Sequence, residues 1–240
     1  MNKVALIIGA GDATGGAIAR RFAREDFIAC VTRRQADRLV DLKSAIESNG
    51  GTCHAFGTDA REEEAVLKLF TDIETNIGPI DVCVFNIGGN VRFGITETTS
   101  RVYRKVWEMC AFAGFLAGRE AARVMLPRKH GSIIFTGATA SLRGGTGFAA
   151  FAGGKHALRA LAQSMARELG PQGIHVAHSI IDGAIDTAFI KDRFPERYAL
   201  KEREGILDPD AIAEAYWMLH CQRRSAWTHE LDLRPWLEHW

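Results

Sequence analysis

The sequence has little of several features, and each shortage excludes a class of protein. No apolar run is long enough to span a bilayer, so we expect no membrane-spanning segment. Lys and Arg total 30 and Asp and Glu total 29, so no overall charge favours nucleic acid or a membrane surface as a partner. The 8 histidines show no metal-binding spacing, and we therefore predict no metal site.

Cysteine is also sparse and unpaired in pattern. The chain has 5 cysteines, an odd number, and none of them forms a CxxC pair. The apolar run near the N-terminus ends in glycines that open a helix, so a buried strand explains it better than a signal peptide. Together these features predict a reducing, cytoplasmic environment.

What the chain does contain is an alternation of apolar runs and helical patterns. Strands are predicted at Lys3–Gly9, Phe27–Thr32, Thr52–Gly57, Ile80–Asn86, Ser132–Gly137, Ile174–Ile181 and His229–Leu233. Helices are predicted at Thr14–Arg24, Ala36–Ser48, Glu62–Asn76, Ser100–Met125 and Gly153–Leu169. Buried strands joined by helices predict an α/β fold with a doubly wound parallel sheet of the Rossmann type. We expect one domain over residues 1–240, with a mobile helical lid at about 186–208, where charged residues interrupt the alternation.

The turn after the first strand is rich in glycine and leads directly into a helix. It reads Gly9-Ala10-Gly11-Asp12-Ala13-Thr14-Gly15-Gly16. Glycines allow close backbone approach to a pyrophosphate, and a helix N-terminus offers free N–H groups and a positive dipole end. A plain tight turn would have similar glycines, but the strand–turn–helix context favours a dinucleotide-binding loop.

These features resemble the short-chain dehydrogenase/reductase family over nearly the whole chain. The family's TGxxxGxG turn aligns with Ile8–Gly15, although Ile8 replaces the threonine and Ala13 the middle glycine. Asp59 resembles the family's adenine-contacting aspartate, and Asn86-Ile87-Gly88 its Asn-Ala-Gly turn. The segment from Ile181 to Thr187 resembles its Pro-Gly turn, with Asp182 in place of the proline. The resemblance implies cofactor contacts at Gly9, Gly11, Asp12, Thr14, Gly15, Arg33, Arg34, Asp59, Ala60, Asn86, Ile87, Gly88, Lys155, Gly183, Ile185 and Thr187.

The end of the second strand indicates which dinucleotide is bound. It reads Val31-Thr32-Arg33-Arg34, without the acidic residue that would accept hydrogen bonds from the ribose 2′-OH of NAD. Guanidinium groups suit a phosphate, so the two arginines favour the 2′-phosphate of NADP. The alternative is that both arginines only begin the second helix as solvated residues.

The residues that perform proton transfer in the family are mostly missing. Its YxxxK motif aligns with Phe151-Ala152-Gly153-Gly154-Lys155, so Phe151 stands at the tyrosine position. Family spacing places Ala138 at the serine position and Ala111 at the asparagine position, and only Lys155 remains as a catalytic candidate. A shift of one loop could offer Thr136, Thr139 or Ser141 as a hydroxyl. No shift restores a tyrosine, because the only ones are Tyr103, Tyr198 and Tyr216.

Few other groups could replace the missing tyrosine. His156 should point away from the site, and His175 and His178 are interpreted as satisfied core or surface histidines. Asp182 and Asp186 could lie near the nicotinamide end, but helix-cap and turn roles are favoured for them. The lid residues Tyr198 and Lys201 could reach a pocket, although the sequence gives no sign that they do.

The residues therefore leave two leading hypotheses open, besides a weaker third, a different reaction on the same fold. The first is an NADP(H)-dependent oxidoreductase with a non-standard proton donor and a small-molecule substrate. The second is a catalytically impaired NADP(H)-binding sensor or interaction module. The resemblance also implies a homodimer or homotetramer formed through Ser100–Met125 and Gly153–Leu169, and Trp227, Trp236 and Trp240 are more tryptophans than a solvated tail would carry.

Overall fold

Seven parallel strands form the centre of the computed structural model, which describes residues 3–238. The strands are β1 (Val4–Ile8), β2 (Ile28–Arg33), β3 (Cys53–Gly57), β4 (Ile80–Phe85), β5 (Ser132–Thr136), β6 (His175–Ile181) and β7 (Glu230–Leu233). Their order across the sheet is β3-β2-β1-β4-β5-β6-β7, and each pairing is parallel. This confirms the predicted doubly wound α/β sheet of the Rossmann type.

The chain reverses its direction of winding between β1 and β4. From β1 it adds β2 and β3 on one side, and then returns to add β4 to β7 on the other. Ile8 pairs with both Thr32 and Phe85, so the carboxyl ends of three strands meet at one edge. In sheets of this kind a ligand binds at that switch point.

Helices cover both faces of the sheet. They are α1 (Thr14–Ala23), α2 (Val40–Ser48), α3 (Glu63–Asn76), α4 (Ser100–Trp107), α5 (Ala113–Met125), α6 (Ala149–Leu169), α7 (Ala188–Arg193), α8 (Pro195–Tyr198) and α9 (Pro209–Cys221). Helices α1, α2 and α9 pack with Ile7 and Val31 on one face, whereas α3, α5 and α6 pack with Leu6 and Phe85 on the other. Because both faces are covered, β1, β4 and β5 are buried throughout, which explains their apolar sequences.

Two helices differ from the sequence prediction. The predicted helix Ser100–Met125 is interrupted by a π-helical turn at Glu108–Phe112, between α4 and α5. Such turns hold one extra residue and occur frequently at functional sites. Helix α6 begins at Ala149 rather than at Gly153, because its glycines are packing positions: a Cβ on Gly154 would lie 2.9 Å from the Cβ of Cys110.

The segment 186–208 contains α7, α8 and a short 3₁₀ helix, and the residues after β7 pack against it. Trp236 Nε1 donates to the carbonyl oxygen of Arg203 at 2.9 Å, and Arg197 forms an ion pair of 2.9 Å with Glu238. Trp227, before β7, stacks on His175 with ring centroids 4.9 Å apart. Trp240 lies outside the described residues.

All 5 cysteines are free. Cys30, Cys53 and Cys83 are buried in β2, β3 and β4, as the sequence predicts, and burial raises the pKa of Cys30 and Cys83 to about 12. Cys221 is exposed. Between residues 3 and 238, no helix has the length and apolar character needed to cross a membrane.

Candidate active site

The glycine-rich loop is folded so tightly that several of its glycines cannot carry side chains. Gly9 has a φ of +92°, and a Cβ there would lie 2.8 Å from Ile87 Cγ1 and 2.9 Å from the carbonyl oxygen of Asn86. A Cβ on Gly15 would lie 2.6 Å from the carbonyl oxygen of Gly9 and 2.9 Å from Asn86 Nδ2. The loop and the turn after β4 therefore fit together only with glycine at these positions.

The N-terminus of α1 is left free by its own side chains. Ala13 occupies the N-cap and makes no side-chain hydrogen bond, and the first turn carries no acidic residue. A Cβ on Gly11 would meet nothing within 4 Å, so the loop is open on that side. Free N–H groups, a positive dipole end and open space beside a glycine suit a pyrophosphate group.

The two arginines at the end of β2 stand beside this loop. The backbone N–H groups of Gly9 and Ala10 donate to the carbonyl oxygen of Thr32, which ties the loop to β2. Arg33 Nη1 lies 3.3 Å from Asp12 Oδ1, while the Asp12 side chain is 93% exposed. An ion pair so exposed contributes little to stability, so Arg33 can exchange Asp12 for a phosphate at small cost.

Asp59 follows β3 and forms an ion pair with Arg61, a residue that the sequence pattern does not single out. Arg61 donates to both of its carboxylate oxygens, from Nε at 2.9 Å and from Nη2 at 2.5 Å. These hydrogen bonds lower the pKa of Asp59, and the positive charge of Arg34 acts in the same direction. Ala60 is buried behind it. Arg34, which directly follows β2, is therefore near enough for its charge to act on Asp59.

Asn86 connects the glycine loop to β4. Its Nδ2 donates to the carbonyl oxygen of Gly9 at 3.0 Å, and its backbone N–H donates to the carbonyl oxygen of Ile8 at 2.8 Å. The Asn86 side chain thus holds the glycine-rich loop against the end of β4. Asn86 lies in the turn after β4 that resembles the family's Asn-Ala-Gly turn.

Lys155 is buried in α6 at the same edge of the sheet, with 3% of its surface exposed. Its Nζ donates to the carbonyl oxygens of Ile87 at 3.0 Å and Thr136 at 2.7 Å, which links β4, β5 and α6. Burial lowers the pKa of Lys155, and the neighbouring thiol of Cys110 opposes that effect. A lysine with a lowered pKa releases its proton more readily than a solvated one.

Phe151 lies beside Lys155 in an apolar environment. A Cβ on Gly88 would lie 3.9 Å from Phe151 Cε2 and 4.0 Å from Lys155 Cε, so both side chains flank the same point. Phe151 packs in an apolar cluster that includes Ala138. Ala111, which is also buried, lies in the π-helical turn. The π-helical turn therefore includes the position at which the family has an asparagine and this chain has Ala111.

The three hydroxyls that the sequence analysis left open have different environments. Thr136 Oγ1 is hydrogen-bonded to the buried phenol of Tyr216 at 2.8 Å. Ser141 Oγ accepts from the backbone N–H of Ala138 at 3.1 Å and is fully buried. Thr139 alone is partly exposed and bonded to an acidic side chain.

That acid is Asp182, which follows β6 and is 1% exposed. Thr139 Oγ1 donates to Asp182 Oδ1, and Arg234 Nη2 lies 3.5 Å from Asp182 Oδ2. Arg143 approaches Oδ1 at 4.0 Å. Since a lone buried carboxylate is costly, this positive charge offsets the cost of burying Asp182.

The prediction that Asp182 and Asp186 serve as helix-cap and turn residues is wrong. Asp182 bonds to Thr139, and Asp186 forms an ion pair of 2.7 Å with Lys201. The cap of α7 is Thr187, whose hydroxyl oxygen accepts from the N–H of Ile190 at 3.1 Å. The sequence does not show that the partners of both acids come from segments distant along the chain.

The remaining residues of this turn are set by close packing. Gly183 has a φ of +150°, and a Cβ there would lie 2.8 Å from Pro235 Cδ. Ile185 forms a parallel bridge with Leu207. Both ends of the segment 186–208 are therefore anchored beside the carboxyl end of β6.

The histidines of β6 are both buried, and only one of them has a hydrogen-bonded ring nitrogen, so the prediction of satisfied histidines holds only in part. His175 Nε2 is hydrogen-bonded to the carbonyl oxygen of Thr228 at 2.8 Å. Neither ring nitrogen of His178 has a hydrogen-bond partner among the described residues, and its closest acid is Glu230 at 3.7 Å. Burial lowers the pKa of His178 to about 4, with Glu230 opposing the shift.

Other candidate proton donors lie away from Phe151. His156 is exposed and its Nδ1 is hydrogen-bonded to the carbonyl oxygen of Ala152, so it points outward as predicted. Lys201 lies over the ring of Tyr198 and is held by Asp186. Over residues 3–238, no group of three or more His, Cys, Asp or Glu side chains is placed to hold a metal ion.

Comparison with known proteins agrees with this geometry. The model of the family described as short chain dehydrogenase matches residues 3–197. The chain belongs to the short-chain dehydrogenase family.

Three similar proteins illustrate the range of the family. A short-chain dehydrogenase from Rhodopseudomonas palustris is 47% identical, with a TM-score of 0.85 over 98% of this chain and 100% of that chain. Meso-2,3-butanediol dehydrogenase of Serratia marcescens is 31% identical over 219 residues, which are 88% of this chain and 84% of the relative. A metagenomic short-chain oxidoreductase, solved in complex with NADP, shares the fold with a TM-score of 0.84 at 24% identity, over 97% of each chain.

Proposed function

We propose that this protein is an NADP(H)-dependent oxidoreductase whose proton transfer does not use the family's tyrosine. The observation that carries the cofactor preference is the position of Arg33 and Arg34. Arg33 lies against Asp12 of the glycine loop, and Arg34 acts on Asp59 at the next strand end. Two guanidinium groups after the second strand, one of them beside the glycine loop, support a contact with the 2′-phosphate of an adenosine ribose.

The loop supports binding of the rest of the cofactor. The uncapped N-terminus of α1 and the open side of Gly11 would receive the pyrophosphate, with Gly9, Thr14 and Gly15 forming the close backbone around it. The cofactor, when bound, supplies the hydride. The metagenomic relative that was solved with NADP supports this choice of cofactor by analogy of fold.

The same analogy suggests contacts for the other cofactor groups. Asp59 and Ala60 would border the adenine, and Asn86, Ile87 and Gly88 would border the nicotinamide ribose. Gly183, Ile185 and Thr187 would border the carboxamide and the phosphates. Their positions at the carboxyl edge of the sheet support these roles.

Lys155 is the titratable group beside Phe151, and its role differs from that of a solvated lysine. Its Nζ is held by the carbonyl oxygens of Ile87 and Thr136, and burial favours the neutral amine. It therefore positions the turn after β4 and can accept or release a proton at Nζ. Phe151 excludes water from the same point and has no proton to give.

The apolar cluster around Phe151 and Ala138 favours a second candidate function, a catalytically impaired NADP(H)-binding module. Such a module would bind the cofactor equally well and transfer no hydride. Turnover of a small secondary alcohol or its ketone separates the two functions. The resemblance to a butanediol dehydrogenase supports this substrate class for the first trials.

We also propose that the chain works as one domain with 186–208 as a lid, and as a homodimer or homotetramer. A row of aromatic rings that runs from α4 through the π-helical turn to α5 supports self-association. Trp107, Phe112 and Phe115 stack with successive centroids 6.3 Å apart, and Trp107 and Phe115 are exposed. A cytoplasmic location is supported by the exposed free thiol of Cys221, because such thiols persist in reducing compartments.

Titration of the purified protein with NADPH and NADH, followed by tryptophan fluorescence, tests the cofactor proposal. We expect NADPH to bind at least about tenfold more tightly, which is about 1.4 kcal/mol. The Arg33→Gln, Arg34→Gln double variant should lose most of this preference while its affinity for NADH stays unchanged. Arg101→Gln, an exposed arginine at the start of α4, is the matched control. Equal affinities of the wild type for both cofactors would refute the proposal.

A further inference from the structure

Asp182 is an unusual group to find beside this site, because it is a fully buried carboxylate at the end of β6. Its backbone N–H donates to the carbonyl oxygen of Leu233, so its position is fixed by the β6–β7 pairing. Its side chain is 1% exposed. A carboxylate is rarely placed so deeply unless it is paired or used.

The pairing of Asp182 is incomplete. Oδ1 accepts from Thr139 Oγ1, but Oδ2 has no hydrogen-bond partner among the described residues. Arg234 supplies positive charge at 3.5 Å, which is beyond hydrogen-bond distance, and Arg143 is at 4.0 Å from Oδ1. Nearby positive charge thus stabilises the carboxylate, while no hydrogen bond from the described residues reaches its second oxygen.

Thr139 connects Asp182 with the apolar cluster around Phe151. It directly follows Ala138, which packs with Phe151, and its side chain is partly exposed whereas Asp182 is not. Because the Thr139 hydroxyl donates its proton to Asp182, the lone pairs of its oxygen remain free to accept one. Thr139 and Asp182 lie at the carboxyl ends of adjacent parallel strands, β5 and β6, where substrates of this fold bind.

We propose that Thr139 and Asp182 form an acid–base pair that exchanges the proton of the reacting oxygen, in place of the missing tyrosine. This inference rests on the proposed function. In alcohol oxidation the substrate carbon gives its hydride, with two electrons, to NADP⁺ as the C–H bond breaks. The substrate O–H proton passes to Thr139 Oγ1, whose own proton passes to Asp182, and the products are a carbonyl compound, NADPH and a protonated Asp182. Carbonyl reduction runs through the same steps in reverse.

The pair also defines the substrate class. The hydroxyl oxygen of Thr139 accepts a proton from an alcohol O–H, and the apolar cluster around Phe151 and Ala138 suits an apolar body beside that hydroxyl. We therefore expect a primary or secondary alcohol carried on a mainly apolar body, or the corresponding carbonyl compound.

Single-turnover hydride transfer tests the pair directly. Each variant is saturated with NADP⁺ and mixed with 2,3-butanediol, cyclohexanol or 1-phenylethanol, and NADPH formation is followed by absorbance in a stopped-flow instrument. Thr139→Val and Asp182→Asn should each slow the step by about ten- to a hundredfold, whereas Thr139→Ser, which keeps the hydroxyl, should remain close to the wild type. Thr71→Val, at an exposed position of α3, is the control.

Two further readouts distinguish a chemical role from a structural one. NADPH affinity, measured by fluorescence, should be unchanged in both slow variants. Formate should restore part of the rate to Asp182→Gly, because it can replace the lost carboxylate. Thr139→Val or Asp182→Asn with wild-type rates would overturn the pair, and so would a wild-type protein that binds NADP(H) and oxidises none of the three alcohols. Failure to bind NADP(H) at all would instead overturn the proposed function.

Discussion

Restoring the two missing hydroxyls should increase carbonyl reduction. In the Phe151→Tyr, Ala138→Ser variant, the new phenol extends a ring whose edge already flanks Lys155 above Gly88. Positive charge on Lys155 would lower the pKa of that phenol and make it a usable acid. Each substitution adds one oxygen to the existing side chain, so the backbone of α6 and of the turn after β5 should not move.

The structure sets the size of the expected gain. A positioned acid contributes about 10²- to 10⁴-fold in rate. Here burial lowers the pKa of Lys155, so the amine is charged less of the time, and its hydrogens are directed at two carbonyl oxygens. Ala111 supplies no side-chain amide at the asparagine position. We therefore expect the lower part of the range, a gain of about ten- to a hundredfold over a slow wild type.

The assay is NADPH oxidation, followed by absorbance, with a panel of simple ketones, aldehydes and quinones. Phe148→Tyr is the matched control, because it adds a phenol to the same apolar cluster at a different position. Adding Lys155→Met to the double variant should remove the gain. A double variant that binds NADPH normally and is no faster than the wild type on any compound would refute the reasoning, as would a gain that persists without Lys155.

Two further predictions concern stability and assembly. Burial lowers the pKa of His178 to about 4, so this side chain stays neutral in the folded protein at pH 5. In the unfolded chain the same histidine is protonated below pH 6.5. The free energy of unfolding therefore decreases as the pH falls from 6.5 towards 4. Between pH 7 and pH 5 this loss is about 2 kcal/mol; in urea unfolding, His178→Asn should remove it and the exposed control His156→Asn should not. Trp107→Glu with Phe115→Glu should dissociate the oligomer without unfolding it, and light scattering that gives the wild type a mass near 26.4 kDa would contradict self-association.

The fold could be predicted from the sequence because its signals are local. The strands β1, β4 and β5 are buried on both faces, so their apolar runs are continuous and bounded by turns. The sequence pattern does not reveal the π-helical turn at Glu108–Phe112, since a single extra residue shifts the apolar pattern by only one position. The start of α6 was misplaced because Gly153 and Gly154 look like a turn, although Gly154 is required by its contact with Cys110.

The candidate site was predictable only in part. The glycines of the loop and the two arginines after β2 each form a short local motif, so their spacing in the sequence predicts a dinucleotide-binding site. The environment of Asp182 is formed by Thr139, which follows β5, and by Arg234, which follows β7. No local sequence pattern indicates that these three residues lie together. The replacement of the family's proline by Asp182 was the available signal. The unsatisfied ring of His178 was equally hidden, because its sequence neighbours are those of any buried strand.

A crystal structure of the protein with NADPH tests the central claim most directly. We predict that the 2′-phosphate contacts Arg33 and Arg34 and that the pyrophosphate lies at the N-terminus of α1. We also predict that Phe151, Lys155 and Thr139 surround the nicotinamide C4. A 2′-phosphate free in solvent, or a nicotinamide far from Lys155 and Thr139, would contradict it.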